Sequence, residues 1–451
     1  MATGEAAPGA GAPPPATGEA AAKAGTPAPA TGEAGAPPPL WLARLEVQNV
    51  RNLERVELEP SRRLTVLAGA NGQGKTSVLE AIYLAATSKS FRTPRLDELV
   101  RHGAAAGRVR AVFREGTSAV GREQVVGVEG ARRSVKLDGK RPPSLGHFAV
   151  RSPVVCFHAR ELELTSGPAA ARRLMLDRLA LFVDPLSADD RARYQQALRA
   201  RQRALEKRGP TGADVGAFEA LCARHGAALT RARRRAAGAL SAWLGPSIER
   251  LSPGLRVEAA YEAGGSDDEG EAAAALSARR GKDVVRGSAG FGPHRDELAL
   301  RLEGQPLRAV ASQGQHRAVT LGLKVAELRA LGAARGLWPV LLLDDLSSEL
   351  DEAKTRALLL LLHETGGQVF VTTTRPGLLD EAGFGPAERS IVTLSGGRLL
   401  RPAGAASNPL VLAAPRPLDR DVDWPPRGAP RDGGGGRFAL DSGPNLTGFS
   451  K

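Results

Sequence analysis

Leu64–Ala86 reads LTVLAGANGQGKTSVLEAIYLAA, and this stretch decides the fold. An apolar run, Leu64–Leu67, leads into a glycine-rich loop, and an amphipathic stretch follows from Lys75. Gly69, Gly74, Lys75 and Thr76 fit G-x-x-x-x-G-K-[ST], with the strand before it and the helix after it that the motif requires. The residue types carry the chemistry. Glycines let backbone N–H groups curl round phosphates, the helix N-terminus adds a positive dipole, Lys75 adds a full charge, and Thr76 is suited to hold Mg²⁺. Gly69, Asn71, Gly72, Gly74, Lys75, Thr76 and Ser77 are therefore the expected nucleotide-binding residues. The loop calls for a nucleotide and leaves its purpose open.

Two further stretches bear on that purpose. Leu341–Leu343 is an apolar run ending in Asp344 and Asp345, as a buried parallel strand would end. An acid at such a tip can ligate Mg²⁺, a role assigned to Asp344 beside Thr76. Asp345 points the other way by strand alternation and is expected to polarise the attacking water, which makes it, with Lys75, a catalytic residue. A solvated acidic pair capping a loop would carry the same letters. Upstream, Ser312-Gln313-Gly314-Gln315 precedes an apolar pattern at helical spacing, Val319 to Ala326. A Ser and a Gly at a helix start suit the outer face of a γ-phosphate, because hydroxyl and exposed N–H groups donate and the dipole helps. An ordinary N-cap would use the same residues. With the other two motifs in order, the layout is that of an ATP-binding-cassette (ABC) signature closing over a partner's nucleotide. The loop after Asp345, with Ser348 and Asp351, is then expected at a dimer interface. Thr373, at the end of the strand-like run Gln368–Thr374, is the candidate γ-phosphate sensor, although β-propensity also favours threonine there.

The chain has 451 residues, 42% apolar and 4% aromatic, enough for two or three domains with cores of Leu, Val and Ala. Cys156 and Cys222 lie far apart without metal-like spacing, which fits a reducing compartment. The net charge of +13 points to a polyanionic partner, nucleic acid or an anionic membrane surface. No apolar run approaches the roughly 18 residues of a membrane helix, and no signal peptide is visible, so a cytoplasmic protein is expected.

Composition divides the chain. Residues 1–39 are rich in Ala, Pro and Gly, with ATGEA repeated, and read as a disordered leader; residues 401–451 read as a disordered tail. Between them the pattern is α/β, helical, then α/β again. This gives a head split into 40–168 and 291–400 around an Arg-rich helical lobe, 169–290, with a mobile acidic patch at 264–271.

At this point a resemblance becomes specific. SQGQHR (Ser312–Arg317), LLLDDLSSELD (Leu341–Asp351) and QVFVTTT (Gln368–Thr374) resemble the RecF family, bacterial DNA replication and repair ATPases related to SMC proteins. LEVQNVRNL (Leu45–Leu53), VVCFHARELELTSGPAAARRLMLD (Val154–Asp177), YQQALRARQRALEK (Tyr194–Lys207) and GPHRDEL (Gly292–Leu298) also match its motifs. Ala159 stands where the family usually has Pro, Glu161 where it has Asp, and His316 where Gln is common. The resemblance implies an ABC-type phosphate-loop ATPase head with an inserted helical lobe. It implies weak DNA-dependent ATPase activity, and an ATP-dependent homodimer clamping duplex DNA at single-strand/duplex junctions. RecR and RecO are the partners it implies, in recombinase loading. It also places Arg51 and Asn52 near the adenine. His294 and Arg295 fall in a family motif that would serve equally as a turn or a contact.

The Arg-rich lobe supplies the expected DNA contacts: Arg172, Arg173, Arg199, Arg203, Arg233 and Arg234, with Arg201, Arg224, Arg231 and Arg235 nearby. A solvated helix face would look the same. The rival is an ABC-type ATPase subunit of another machine, such as a transporter. That would normally carry L-S-G-G-Q and need a membrane partner, and the basic insert speaks against it. A long SMC-type coiled coil is excluded, because KRGPTG (Lys207–Gly212) and GGSDDEGE (Gly264–Glu271) interrupt the insert.

Overall fold

The structure, a computed structural model, describes residues 37–345, 352–379 and 383–400. Most of the expected leader and all of the expected tail lie outside these residues, as do Ser348 and Asp351. The head begins earlier than residue 40. Trp338 donates its N–H to Pro38, and Leu40 donates to Trp338.

Three sheets organise the chain. β1 (Leu40–Val50), β2 (Leu53–Leu58), β4 (Gly107–Glu115), β5 (Arg122–Glu129) and β6 (Arg132–Leu137) form an antiparallel sheet in the order β2-β1-β4-β5-β6. β3 (Leu64–Ala68), β7 (Val154–Phe157), β11 (Val340–Leu343), β12 (Val369–Thr373), β13 (Arg389–Ser395) and β14 (Arg398–Leu400) form the second sheet, in the order β14-β13-β3-β12-β11-β7. All its neighbours run parallel except β13 and β14. β8 (Val257–Glu262), β9 (Glu297–Leu302) and the short β10 (Gln305–Pro306) form the third, in the order β10-β9-β8.

The helices of the head are α1 (Lys75–Thr87), the short α2 (Leu145–Ala149) and α3 (Glu163–Ser166), then α9 (Leu307–Val310), α10 (Gln313–Arg335) and α11 (Glu352–Thr365). The insert carries α4 (Ala169–Val183), α5 (Ser187–Arg208), α6 (Val215–Leu251), α7 (Glu269–Ala278) and α8 (Arg280–Arg286).

Strand alternation gives the parallel sheet two greasy faces. Leu67, Leu342 and Phe370 pack with α1 and the antiparallel sheet. Leu64, Val66, Leu341, Leu343, Val369 and Val371 pack on the other face with α4, α6, α10 and α11. Gln368 locks the two β-layers together where β1 shifts register between Leu42 and Arg44. It accepts from the Leu42 N–H at 2.7 Å and donates to the carbonyls of Leu42 and Ser61.

The insert is not a separate body bounded at residue 290. β8 lies inside it and pairs with β9 beyond that boundary, and α4 and α6 share the head's core. VEAAYE is six residues long and half-exposed, too short a signal to stand out between a 37-residue helix and a glycine-rich turn. The expected mobile patch at 264–271 is ordered. Asp268 caps α7 by accepting from the Glu271 N–H, and Gly264 donates to the Asp296 carboxylate at 2.8 Å.

Candidate active site

The phosphate loop joins β3 to α1 at the carboxyl end of the parallel sheet, where ligands of such sheets bind. Gly72 and Gly74 have φ of 79° and 103°, values that side chains rarely adopt, and this turns the loop's backbone back on itself. Gly69 has no room for a side chain, because a Cβ would stand 2.6 Å from the Leu394 carbonyl oxygen. Lys75 is buried, and its Nζ donates to the carbonyls of Gly69 (2.7 Å) and Ala70 (2.8 Å). Such an ammonium, ringed by loop carbonyls, is positioned to turn onto a phosphate oxygen.

β12 lies between β3 and β11, so the ends of these three strands sit side by side. The Thr76 hydroxyl donates to Asp344 Oδ1 at 2.8 Å, and the Thr372 hydroxyl donates to the same oxygen at 2.8 Å. Burial pushes the Asp344 carboxyl above the usual carboxylate range, with the two hydroxyls opposing it. A buried carboxylate beside a hydroxyl fits a hard divalent cation, whose remaining ligands would be phosphate oxygens and water. Asp345 stands just past the strand with φ of 51°, donates its N–H to the Thr372 hydroxyl at 2.7 Å, and lines the cleft.

That cleft has a volume of about 900 Å³. The loop residues Asn71, Gly72, Gly74, Lys75, Thr76 and Ser77 form its floor. Arg51 and Asn52 line it too. Arg51 donates through Nε and Nη2 to the fully buried Glu80 on α1, both at 2.8 Å. Asn52 bridges the loop, donating to the Gly72 carbonyl and accepting from the Ser77 hydroxyl at 2.7 Å. Sequence reasoning missed Arg92, Arg101, His102 and Thr372, which line the cleft as well.

Thr373 does not line the cleft, whereas Thr372 does. The Thr373 hydroxyl accepts from the Arg375 N–H at 3.0 Å, and it is Thr372 that reaches both acids. Alternation along β12 sends consecutive threonines to opposite faces, so a one-residue choice decides the assignment.

The Ser312–Gln315 stretch lies outside the cleft of its own chain. Ser312 is the N-cap of α10 in a reciprocal capping box: its hydroxyl accepts from the Gln315 N–H at 3.2 Å, and the Gln315 side chain accepts from the Ser312 N–H at 2.8 Å. Ser312, Gln313 and Gly314 are exposed. A Cβ at Gly314 would meet nothing closer than the Ser312 Oγ at 4.0 Å, so its own fold does not require a glycine there. The Gln315 side-chain oxygen is engaged in the cap, and Gln315 is only half-buried.

The expected DNA contacts also divide. Arg172 is buried and pairs with Glu297 at 2.6 Å, and Arg233 is buried between Asp177 (2.7 Å) and Asp296 (2.9 Å). Arg201 is fully buried against Glu219 and Asp283. Half-buried Arg173 donates to the Asp296 carbonyl at 2.8 Å. These arginines hold the fold, because helical periodicity turns them towards acids that lie far away in sequence. Arg199 and Arg203 are exposed on α5, and Arg224 and Arg234 on α6, Arg234 pairing with Asp267. His294 and Arg295 form a structural turn. His294 Nδ1 meets the Tyr194 hydroxyl at 2.7 Å, and both residues bond the Ala289 carbonyl.

A phosphate loop, an acidic strand end and a capped signature-type helix on one such head define an ABC-type ATPase. The model of the RecF/RecN/SMC N terminal domain matches residues 41–391. The chain is 42% identical over 351 residues to the DNA replication and repair protein RecF of Anaeromyxobacter sp. (strain Fw109-5), covering 76% of this chain and 94% of that one. It is 39% identical to RecF of Myxococcus xanthus (strain DK1622), covering 75% and 92%. A solved structure of the recombination mediator protein RecF-ATP in the RecFOR pathway superposes with a TM-score of 0.70 at 26% identity, covering 80% of this chain and 99% of that one. The chain belongs to the RecF family of DNA replication and repair ATPases.

Proposed function

We propose that this chain is a recombinational repair ATPase that binds Mg·ATP and forms a homodimer around it, clamps duplex DNA near single-strand gaps, and lets go through slow hydrolysis. In this reading it assists recombinase loading together with RecR and RecO. One observation carries the dimer: the phosphate loop and the exposed Ser312 cap sit on one chain and do not meet. Each nucleotide then needs a second copy to cover its outer face. Ser312 keeps its hydroxyl proton for donation outward, since its oxygen is the acceptor in the capping box. The N–H groups of Gln313 and Gly314, in the first turn of α10, complete the set of donors.

Thr76 and Asp344 would hold Mg²⁺, which supplies charge neutralisation at the β- and γ-oxygens. Lys75 would add a third positive contact. Asp345 would orient the attacking water, and Thr372 would hold Asp344 and Asp345 in register. DNA grip and nucleotide state are coupled, because both depend on the same pairing of chains.

Sizing the protein with and without ATP, and with and without gapped duplex, tests the reading. The expected result is doubling of mass with ATP, loss of the dimer in Ser312→Arg with ATP binding retained, and loss of both in Lys75→Ala. A Ser312→Arg protein that dimerises as the parent does would remove Ser312 from the account.

A further inference from the structure

Three buried charged side chains and a partly buried fourth lie together away from the phosphate loop. Lys324 and Glu327 lie on α10, each 2% exposed, and Glu161, 6% exposed, comes from the turn after β7. Lys324 Nζ stands 3.4 Å from Glu161 and 2.5 Å from Glu327. Arg178 of α4 closes the ring, 3.6 Å from Glu161 and 3.4 Å from Glu327. Burial pushes the Glu161 carboxyl up, but Lys324 and Arg178 outweigh it and hold the group ionised. Two acids and two bases balance. Even so, taking three charges out of water is costly, and a packed apolar set would serve stability at least as well. The ring therefore calls for a geometric reason.

Its connections supply one. Lys324 lies about three turns along the helix that begins at Ser312, so whatever fixes Lys324 fixes the aim of that exposed end. On the other side, Glu161 follows β7, and Phe157 at the end of β7 accepts from the Asp344 N–H at 2.9 Å. His158, 3.6 Å from Glu161, stacks on Phe91 with ring centroids 4.9 Å apart, and Phe91 meets Tyr83 of α1 edge-on at 5.6 Å. The ring is thus tied to the metal-site strand and the phosphate-loop helix on one side, and to the signature helix on the other. A cavity of about 330 Å³ opens beside it, lined by Tyr83, Phe91, His158, Glu161, Arg178 and Glu327 among others.

We infer that Glu161 and Lys324 are positioning residues, whose buried pair sets the angle of the signature helix against the phosphate-loop half of the head. Nucleotide on a chain's own loop thereby governs how that chain's Ser312 end meets a second copy. This rests on the ATP-dependent dimer proposed above.

The test uses the full chain. Lys324→Arg keeps the cation. The paired change Glu161→Leu with Lys324→Met removes one acid and one base and leaves Arg178 facing Glu327. Binding of a non-hydrolysable ATP analogue to the isolated chain should stay within about twofold, while analogue-driven dimerisation weakens about tenfold in the paired variant and recovers in Lys324→Arg. A second readout needs no dimer. Nitroxides placed through Lys140→Cys and Gln313→Cys report the angle of α10 within one chain. Their distance distribution should broaden in the paired variant and stay narrow in Lys324→Arg. An unchanged distribution with undiminished dimerisation overturns the inference. If the parent chain itself stays monomeric with the analogue, the dimer reading falls, and the intrachain distances alone decide the role of the pair.

Discussion

At the scale of single residues, the site turns on which neighbour of a pair faces the nucleotide. Asp344 is held by two hydroxyls, while Asp345 has a left-handed backbone and an N–H bonded to Thr372. Thr372 is the residue both acids share. Thr372→Val removes a donor to Asp344 and an acceptor for the Asp345 N–H, and is expected to lower ATP turnover about tenfold with analogue binding largely kept. Asp345→Asn should lower turnover more, by about 10²–10⁴-fold, the range for loss of a general base. Thr373→Val should change turnover little, since Thr373, unlike Thr372, does not line the cleft. Steady-state turnover beside analogue binding separates the three. If Thr373→Val proved the damaging change and Thr372→Val the silent one, the sensor would belong where sequence reasoning first put it. The phosphate loop was legible because its chemistry is local: the glycines, Lys75 and Thr76 fall within eight consecutive residues. The Thr372 assignment was not legible, because it depends on where a strand stops relative to its neighbours, and a run of threonines gives no register.

At the scale of elements, the same contrast separates the head from the insert. The buried strands β3, β11 and β12 announce themselves as apolar runs ended by polar residues, and the helices by their period. What periodicity cannot supply is the partner of a charge. Arg172, Arg201 and Arg233 read as members of a basic stripe, yet each faces an acid from another element, and Asp296 gathers Arg233, Tyr261 and Gly264 around one carboxylate. Asp296 is fully buried, so removing Arg233 strands buried charge there, while Asp177 keeps Arg191 at 2.9 Å. Arg233→Met is expected to destabilise the protein by about 3–5 kcal/mol, read as a lower urea midpoint. Arg234→Met, one residue on and exposed, should cost under about 1 kcal/mol. Equal losses at the two positions would mean that the Asp296 cluster does not hold the base of the insert.

At the scale of the whole molecule, the charge of +13 must be divided between arginines spent on the fold and arginines open to a polyanion. The ion pairs of Arg172, Arg201 and Arg233 take them out of the second group, and Arg199 and Arg203, one turn apart on α5, are candidates for it by their exposure. Phosphate contacts release condensed counterions, so the logarithm of DNA affinity falls linearly with the logarithm of salt, by about 0.9 per phosphate neutralised. This gives a measurement that counts contacts without a structure of the complex. Titrating duplex DNA at several salt concentrations with ATP analogue present, Arg203→Ala should weaken binding on every sequence tested and reduce the slope by about 1. Arg199→Ala should do the same, and the double variant should lose about 2. The buried arginines serve as the internal control: Arg233→Met, assayed well below its unfolding temperature, should leave the slope alone. A slope that ignores Arg199 and Arg203 while binding stays salt-dependent would move the DNA path off α5.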